Sequence, residues 1–203
     1  MLKKIVPKAY IRSTMNNKQQ SDSSYPVPDT WQAAHCVYKG ARFDVCSLEI
    51  KTTSGQTVRR EAIVHPGAVV ILPIMQDGNI LMIRNHRWAI GETLWELPAG
   101  TLEPNEPPIE TAKRELIEET GYKADNVTPL LQFYSSPGFC TEVLYSFVAK
   151  DLDFVGQNLD ETEEIAVEAL SWDEIEQMMK NHTIRDAKTI STLLYFRHFS
   201  SPL

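Results

Sequence analysis

The chain has 203 residues, of which 42% are hydrophobic and 23% are charged, and its formal net charge is −7 at pH 7. This length suits one core of moderate size plus an appendage, and the composition is that of an ordinary globular protein. The acidic balance argues against a nucleic-acid-binding surface, which is normally basic, and no apolar run approaches the ~20 residues that span a membrane.

The N-terminal segment, residues 1–30, is predicted to be a flexible polar tail. Its middle part, STMNNKQQSDSSYPVPD, is polar and interrupted by prolines. The first 21 residues lack acidic side chains, as a mitochondrial transit peptide does, but Pro7 interrupts any amphipathic helix there. The segment also has no apolar stretch of the kind found in secretory signals.

The three cysteines, Cys36, Cys46 and Cys140, show no metal-binding spacing such as C-x-x-C. An odd and sparse set of this kind predicts buried thiols in a reducing compartment. We therefore expect a cytoplasmic protein.

Residues 31–62 are predicted to form a small β-domain. AAHCVYKG, RFDVCSLEIKT and TVRREAIV carry β-branched and aromatic residues with partial alternation, and a SGQ turn separates the last two. These strands have no helix of their own to cover them, and one-sided apolar strands with unpaired edges favour pairing with a second copy. The sequence therefore predicts a symmetric homodimer.

Residues 63–203 alternate strands with helices, and we expect them to form a mixed sheet covered by helices, an α+β fold. GAVVILPIM and ILMIRNH read as two strands joined by an Asp-Gly turn, and LLQFY, VLYSFVA and AVEAL as three more. Ser171 and Glu174 form a predicted capping box at the start of a helix. The apolar side of the last predicted helix consists of Ile190, Leu193, Leu194 and Phe196.

A further helix is predicted over residues 106–120. Pro107 and Pro108 are accepted only in a first helical turn, Asn105 is a suitable N-cap, and Gly121 is a natural stop. This helix contains the acidic stretch RELIEETGY.

Three glutamates lie on one flank of that helix, beside an apolar stripe of Ile109, Ala112 and Leu116. They are Glu115, Glu118 and Glu119, and Glu119 is nearest the apolar edge. A partly desolvated carboxylate cluster is costly unless cations neutralise it. Mg²⁺ can do so, because it typically binds one or two carboxylates together with substrate phosphates. From the three residues alone, a solvated acidic face remains an open alternative.

The wider pattern, GTLEPNEPPIETAKRELIEETGY, resembles the Nudix box, G-x5-E-x7-R-E-U-x-E-E-x-G-U, except that Tyr122 replaces the last aliphatic residue. A chance match to its seven fixed positions has a frequency on the order of 10⁻⁸ per register. The resemblance implies an α/β/α sandwich and hydrolysis of a nucleoside diphosphate linked to another moiety. It also implies that Mg²⁺ or Mn²⁺ is held by Glu115, Glu118, Glu119 and the carbonyl of Ala99, with Glu118 a further candidate for the catalytic step. The structural box positions would be Gly100, Glu106, Arg114 and Gly121.

The flanking sequence is similar to the ADP-ribose pyrophosphatase subgroup of that family. Pro137 follows Gly121 after sixteen residues, within SSPGF, and ELPAG leads into the box. Instead of the subgroup's usual R/E-Q-x-R stretch the chain has RNHRW, in which Arg87 matches the phosphate-contacting arginine. Nucleoside diphosphate sugars are therefore a second substrate class. The candidate substrate-binding residues are Arg84, Arg87, Trp31, Pro137 and Gly138.

The acidic stretch NLDETEEIAVEAL precedes a predicted strand and is the source of a further carboxylate. The subgroup places a catalytic glutamate two residues before the first apolar residue of this strand, which corresponds to Glu163, with Glu164 as the alternative.

A different class of function is a catalytically inactive Nudix module that senses a nucleotide or binds a partner. The intact glutamate set argues against that alternative.

Overall fold

The computed structural model describes residues 24–159 and 164–200 and divides the chain into two compact units. The first unit comprises the described part of Met1–His65 together with Ser136–Thr141. The second comprises Pro66–Ser135 and the described part of Glu142–Leu203. The division at His65 lies just beyond the third strand, whereas the boundary expected between residues 62 and 63 would cut through that strand.

The first unit is a three-stranded antiparallel sheet in the order β1-β2-β3. A short 3-10 helix, Asp29–Trp31, precedes the strands. The strands are β1 (His35–Lys39), β2 (Asp44–Lys51) and β3 (Thr57–Val64). The two predicted thiols Cys36 and Cys46 instead form a disulfide. They are direct partners in the β1–β2 register, a juxtaposition that depends on strand pairing and cannot be read from their spacing.

The second unit contains two sheets and three helices. Its strands are β4 (Ala68–Pro73), β5 (Ile80–Arg87), β6 (Glu92–Glu96), β7 (Ala99–Thr101), β8 (Tyr122–Tyr134), β9 (Val143–Phe154) and β10 (Ile165–Leu170). The helices are α1 (Pro108–Thr120), α2 (Trp172–Lys180) and α3 (Ala187–Phe199). One sheet has the order β10-β5-β6 and the other β7-β4-β9-β8, with β4 and β9 parallel.

Strand β4 lies at the centre of this unit, and all six of its residues are buried. Alternate side chains of a strand point to opposite faces of the sheet. Val69 and Ile71 accordingly pack in one core cluster with α1, whereas Val70 and Leu72 pack in a second cluster with α2 and α3. A mixed sheet lies between helices, which confirms the α/β/α sandwich of the α+β class and explains why GAVVILPIM is continuously apolar.

The helices largely follow the sequence pattern. The Ser171–Glu174 capping box of α2 is formed in both directions. In α3, Leu193 and Phe196 are buried, but Leu194 is 41% exposed, so its assignment to the apolar side was wrong. Thr189 and Thr192 are buried there instead, because α3 presents its threonines to the polar groups of neighbouring segments.

In residues 24–159 and 164–200, no helix combines the length and the apolar character needed to cross a bilayer.

Candidate active site

The acidic helix α1 begins at Pro108, two residues later than predicted. Pro107 is the N-cap in an extended conformation, without a side-chain cap, and Asn105 has a left-handed φ of 64°. The prediction of Asn105 as N-cap was therefore wrong. A residue that precedes proline avoids the helical region, so neither Glu106 nor Pro107 can start the helix. Gly121 ends it as predicted, with φ 78° and its N–H donating to the Ile117 carbonyl at 2.8 Å.

The apolar stripe of α1 brings Glu119 into the interior. Ala112 and Leu116 are buried, and Ile109 packs against the same cluster. Glu119, beside this stripe, is only 2% exposed, as its position at the apolar edge predicted. Its Oε2 accepts a hydrogen bond from the backbone N–H of Ala99 at 2.8 Å, which joins the helix to β7.

The backbone of β7 lies against Glu115, the first glutamate of the trio. β7 pairs with β4, so Gly100 lies at a fixed place opposite Val69. A Cβ atom built on Gly100 would overlap the carboxyl group of Glu115. Glycine is therefore required at this position because the Glu115 side chain fills the space that any other residue would use.

Arg114 connects the start of α1 to the glutamate flank. Its Nε and Nη2 donate to the two oxygens of Glu106 at 3.2 and 3.1 Å, so the two residues form an ion pair. Its Nη1 also donates to Glu115 Oε1 at 2.9 Å and to Glu118 Oε2 at 2.7 Å. The hydrogen bonds from Arg114, followed by one from Thr111, hold the pKa of Glu106 below its usual value. Arg114 thus supplies the positive charge that a cluster of carboxylates requires.

The donor set of this flank suits a hard divalent cation. Glu115, Glu118 and Glu119 offer carboxylate oxygens within two turns of one helix, and the Ala99 backbone adjoins Glu119. Within the described residues, no three His, Cys, Asp or Glu side chains converge in a ready-made metal-binding group. In this arrangement Nη1 of Arg114 engages oxygens of both Glu115 and Glu118.

Arg87, at the end of β5, is bound to a buried carboxylate. Its Nε and Nη2 donate to Glu96 Oε1 and Oε2 at 2.7 and 2.5 Å, and Lys188 also donates to Glu96. Glu96 is 0% exposed. Burial alone would raise the pKa of Glu96, but the hydrogen bonds from Arg87 and the charge of Lys188 outweigh it and keep the pKa low. The hydrogen bond with Glu96 likewise raises the pKa of Arg87.

A cavity of about 380 Å³ lies in the second unit beside these groups. Its lining includes Ala99 and Gly100, the cations Arg87 and Lys188, and Tyr134. Ala99 and Gly100, which contact Glu119 and Glu115, therefore line the same cavity as two cations.

Sequence reasoning missed Glu96 and Lys188. The available signal was a charged residue inside the apolar run TLWELPAG, because a carboxylate in such a run is buried only when a cation reaches it. Lys188 is separated from Glu96 by 92 positions, and nothing in the sequence pattern pairs them.

The other predicted substrate residues lie in different surroundings. The Arg84 guanidinium is 5.6 Å from the ring centroid of Trp95, a cation–π contact on the β5–β6 sheet. Trp31, Pro137 and Gly138 belong to the first unit, where Trp31 packs against the core and the other two are exposed.

The predicted catalytic Glu163 lies outside the described residues, whereas Glu164 is exposed immediately before β10. Gln157 and Asn158, which follow β9, form hydrogen bonds to the end of α1. The Asn158 N–H donates to the Glu118 carbonyl at 3.1 Å. The Gln157 side-chain amide donates to the carbonyls of Glu119 at 2.6 Å and Ile165 at 3.4 Å.

Known proteins resemble this chain in sequence and in fold. The NUDIX domain family matches residues 64–193. An ADP-ribose pyrophosphatase of Bacillus subtilis (strain 168) is 34% identical over 163 residues, which cover 79% of this chain and 88% of that protein. A GDP-mannose pyrophosphatase of Escherichia coli O1:K1 is 32% identical over 163 residues, 74% of this chain and 85% of that protein. The crystal structure of an ADP compounds hydrolase superposes with a TM-score of 0.72 at 23% identity, covering 82% of this chain and 90% of that one, and so supports the fold. The chain belongs to the Nudix family and is a Nudix hydrolase.

Proposed function

We propose that this protein hydrolyses the diphosphate bond of ADP-ribose to AMP and ribose 5-phosphate, with nucleoside diphosphate sugars as the related substrate class. The observation that carries the proposal is the glutamate flank of α1, which is hydrogen-bonded to β7, the strand whose Ala99 and Gly100 line a cavity together with Arg87 and Lys188. Relatives named for ADP-ribose and GDP-mannose support the substrate class.

The cofactor in this proposal is Mg²⁺ or Mn²⁺, held by Glu115, Glu118, Glu119 and the carbonyl of Ala99. When bound, a divalent ion neutralises the diphosphate and activates water for attack at phosphorus. Arg114 contacts Glu115 and Glu118 through Nη1 and would retain its Nε and Nη2 bonds to Glu106 with an ion bound. Arg114 thus stabilises the carboxylates in the absence of metal.

Arg87 is proposed to contact a substrate phosphate. Two of its five N–H donors are directed to Glu96, and the guanidinium lines the cavity with 37% of its side chain exposed. The bidentate bond to Glu96 fixes the plane of the guanidinium. The remaining donors can therefore bind a phosphate with little further loss of conformational freedom.

The carboxylate that orients or deprotonates the water is proposed to be Glu163, with Glu164 and Glu118 as alternatives. The glutamates bound to metal are poor bases. Support comes from Gln157, whose amide ties Ile165 to the backbone of Glu119 at the end of α1. Ile165, which directly follows Glu164, is therefore linked to the end of α1 that carries the proposed metal-binding flank.

Replacing Glu163 by Gln is expected to lower kcat steeply, by about 10²-fold or more, while Mg²⁺ and substrate affinities stay nearly unchanged. This pattern identifies a group that acts mainly in the transition state. Steady-state kinetics and metal titrations on Glu163→Gln and Glu164→Gln test the assignment. Normal turnover of Glu163→Gln with loss in Glu164→Gln would move the role to Glu164, and normal turnover of both would assign it elsewhere.

A substrate panel with product separation tests the proposed reaction itself. We expect the highest kcat/KM for ADP-ribose or a nucleoside diphosphate sugar, and loss of turnover on chelation that added Mg²⁺ or Mn²⁺ reverses. A higher value for a nucleoside triphosphate or a dinucleoside polyphosphate would contradict the substrate class. Absence of turnover across the panel would favour the nucleotide-sensing or partner-binding module.

Further expectations belong to this proposal. The first unit, whose edge strand β1 is exposed at four of five positions, is proposed to mediate a symmetric homodimer and to contribute substrate contacts through Trp31. A cytoplasmic location and the absence of nucleic-acid and membrane partners are also proposed.

A further inference from the structure

We propose that Lys188 binds a phosphate group of the substrate together with Arg87, and that buried Glu96 is a positioning residue that holds both cations at the cavity wall. The proposal names a further part of the candidate active site and rests on the proposed diphosphate substrate. Lys188 lies outside every motif that indicates the family, and Glu96, the first residue of ELPAG, has no role assigned to it there.

Glu96 is the fixed centre of this arrangement. It is fully buried, and a buried carboxylate is stable only when cations and hydrogen bonds compensate for its lost hydration. Its Oε1 accepts from Arg87, and its Oε2 accepts from both Arg87 and Lys188. One negative charge therefore holds two positive side chains from β5 and α3, segments that are distant in the sequence.

The first turn of α3 fixes where Lys188 lies. Asp186 caps the helix by accepting from the Thr189 N–H at 3.0 Å, and it also contacts the Lys188 ammonium at 3.0 Å. The Thr189 hydroxyl accepts from the backbone N–H of Leu97 at 2.8 Å. Since Leu97 directly follows Glu96, these two neighbouring residues bind both the start of α3 and the Lys188 ammonium.

Lys188 retains capacity for a ligand. Its side chain is 14% exposed and it lines the cavity with Arg87. An ammonium group has three donors, and the bonds to Glu96 and Asp186 use two of them. Asp186 and Glu142 also line the cavity, and their negative charges offset those of Arg87 and Lys188. Binding of a phosphate therefore depends on hydrogen bonds from the two cations rather than on a net positive charge of the cavity.

Phosphate is the ligand chemistry that these donors fit. A phosphate oxygen accepts several charge-assisted hydrogen bonds at once, and a guanidinium and an ammonium presented side by side bind adjacent oxygens of one group. Ala99 and Gly100 line the same cavity. A diphosphate bound between β7 and the proposed metal site would therefore lie within reach of the two cations.

Kinetics of Lys188→Met and Lys188→Arg with ADP-ribose test the proposal, with Lys180→Met as the matched control. Lys180 lies on α2 with 65% of its side chain exposed. Loss of one charge-assisted hydrogen bond is expected to raise KM about 10- to 100-fold in Lys188→Met, with kcat within about threefold. Lys188→Arg should keep KM within about threefold of wild type, because the charge is retained, and Lys180→Met should match wild type.

Glu96→Gln separates positioning from direct binding. It keeps the shape but removes the charge, so KM should rise as in Lys188→Met, and the double variant should be little worse than either single one. A purely structural role would lower the melting temperature and the active fraction while KM stayed constant. An unchanged KM in folded Lys188→Met, or an equal rise in Lys180→Met, would overturn the proposal.

Calorimetric titration with ADP-ribose in the absence of metal keeps this test independent of turnover. If wild type binds ADP-ribose but hydrolyses nothing, the proposed function fails, while a 10-fold or greater loss of affinity in Lys188→Met still supports the phosphate contact. Equal affinity in wild type and Lys188→Met, or no binding by wild type, would overturn it.

Discussion

Replacement of Glu119 by Gln is expected to lower turnover by at least ~10²-fold, because one proposed ligand to a catalytic ion loses its charge. Glu119 is buried against the apolar stripe of α1, and its Oε2 accepts from the Ala99 N–H. A Gln side chain has the same length and keeps an acceptor for that N–H, so the fold is expected to survive. The measurement is kcat at saturating Mg²⁺, with the melting temperature as a check on folding.

Glu110→Gln is the matched control on the same helix. Glu110 lies in the first turn, is 53% exposed, and pairs with Lys113 at 2.9 Å, well outside the glutamate flank. An exposed pair of this kind contributes at most about 1 kcal/mol, so turnover should stay near that of wild type. Wild-type turnover in Glu119→Gln would remove Glu119 from the proposed metal site, and an equal loss in Glu110→Gln would point to a general effect of helix charge.

Local patterns in the sequence were sufficient to predict much of the candidate active site. The positions of Glu115, Glu118 and Glu119 follow from helical periodicity alone, since residues three and four apart share a face. The burial of Glu119 follows from its place next to Leu116, and the stop at Gly121 from the left-handed conformation that glycine tolerates. Each of these features depends on residues within about one or two turns of one another.

The features that sequence reasoning missed depend on contacts between distant segments. The Glu96–Lys188 pair bridges 92 positions, and the Cys36–Cys46 disulfide depends on the register of β1 and β2. Strands β6 and β7 are five and three residues long, so alternation within them carries little signal, and pairing with β5 and β4 defines them. The start of α1 at Pro108 was also missed, but it does not depend on distant contacts. It could have been predicted from the sequence, because a residue that precedes a proline avoids the helical conformation.

Placing a methyl group on Gly100 is expected to disrupt the same glutamate flank by steric overlap rather than by loss of charge. In Gly100→Ala the new Cβ would overlap the carboxyl group of Glu115. Glu115 would have to turn away from Arg114, whose Nη1 contacts it at 2.9 Å. Overpacking of this kind costs about 1–3 kcal/mol, and displacement of a catalytic group by about 1 Å can lower turnover by about 10²-fold.

A double-mutant cycle identifies the overlapping group. Glu115→Ala removes the side-chain atoms that the new Cβ would meet, so Gly100→Ala should cost little stability in that background, although activity stays low without Glu115. Denaturant unfolding of wild type, both single variants and the double variant measures this coupling. An equal loss of stability from Gly100→Ala in both backgrounds would show that Glu115 is not the obstacle. In that case the glycine would be required for the backbone of β7, where it pairs with Val69, and not for the placement of a proposed metal ligand.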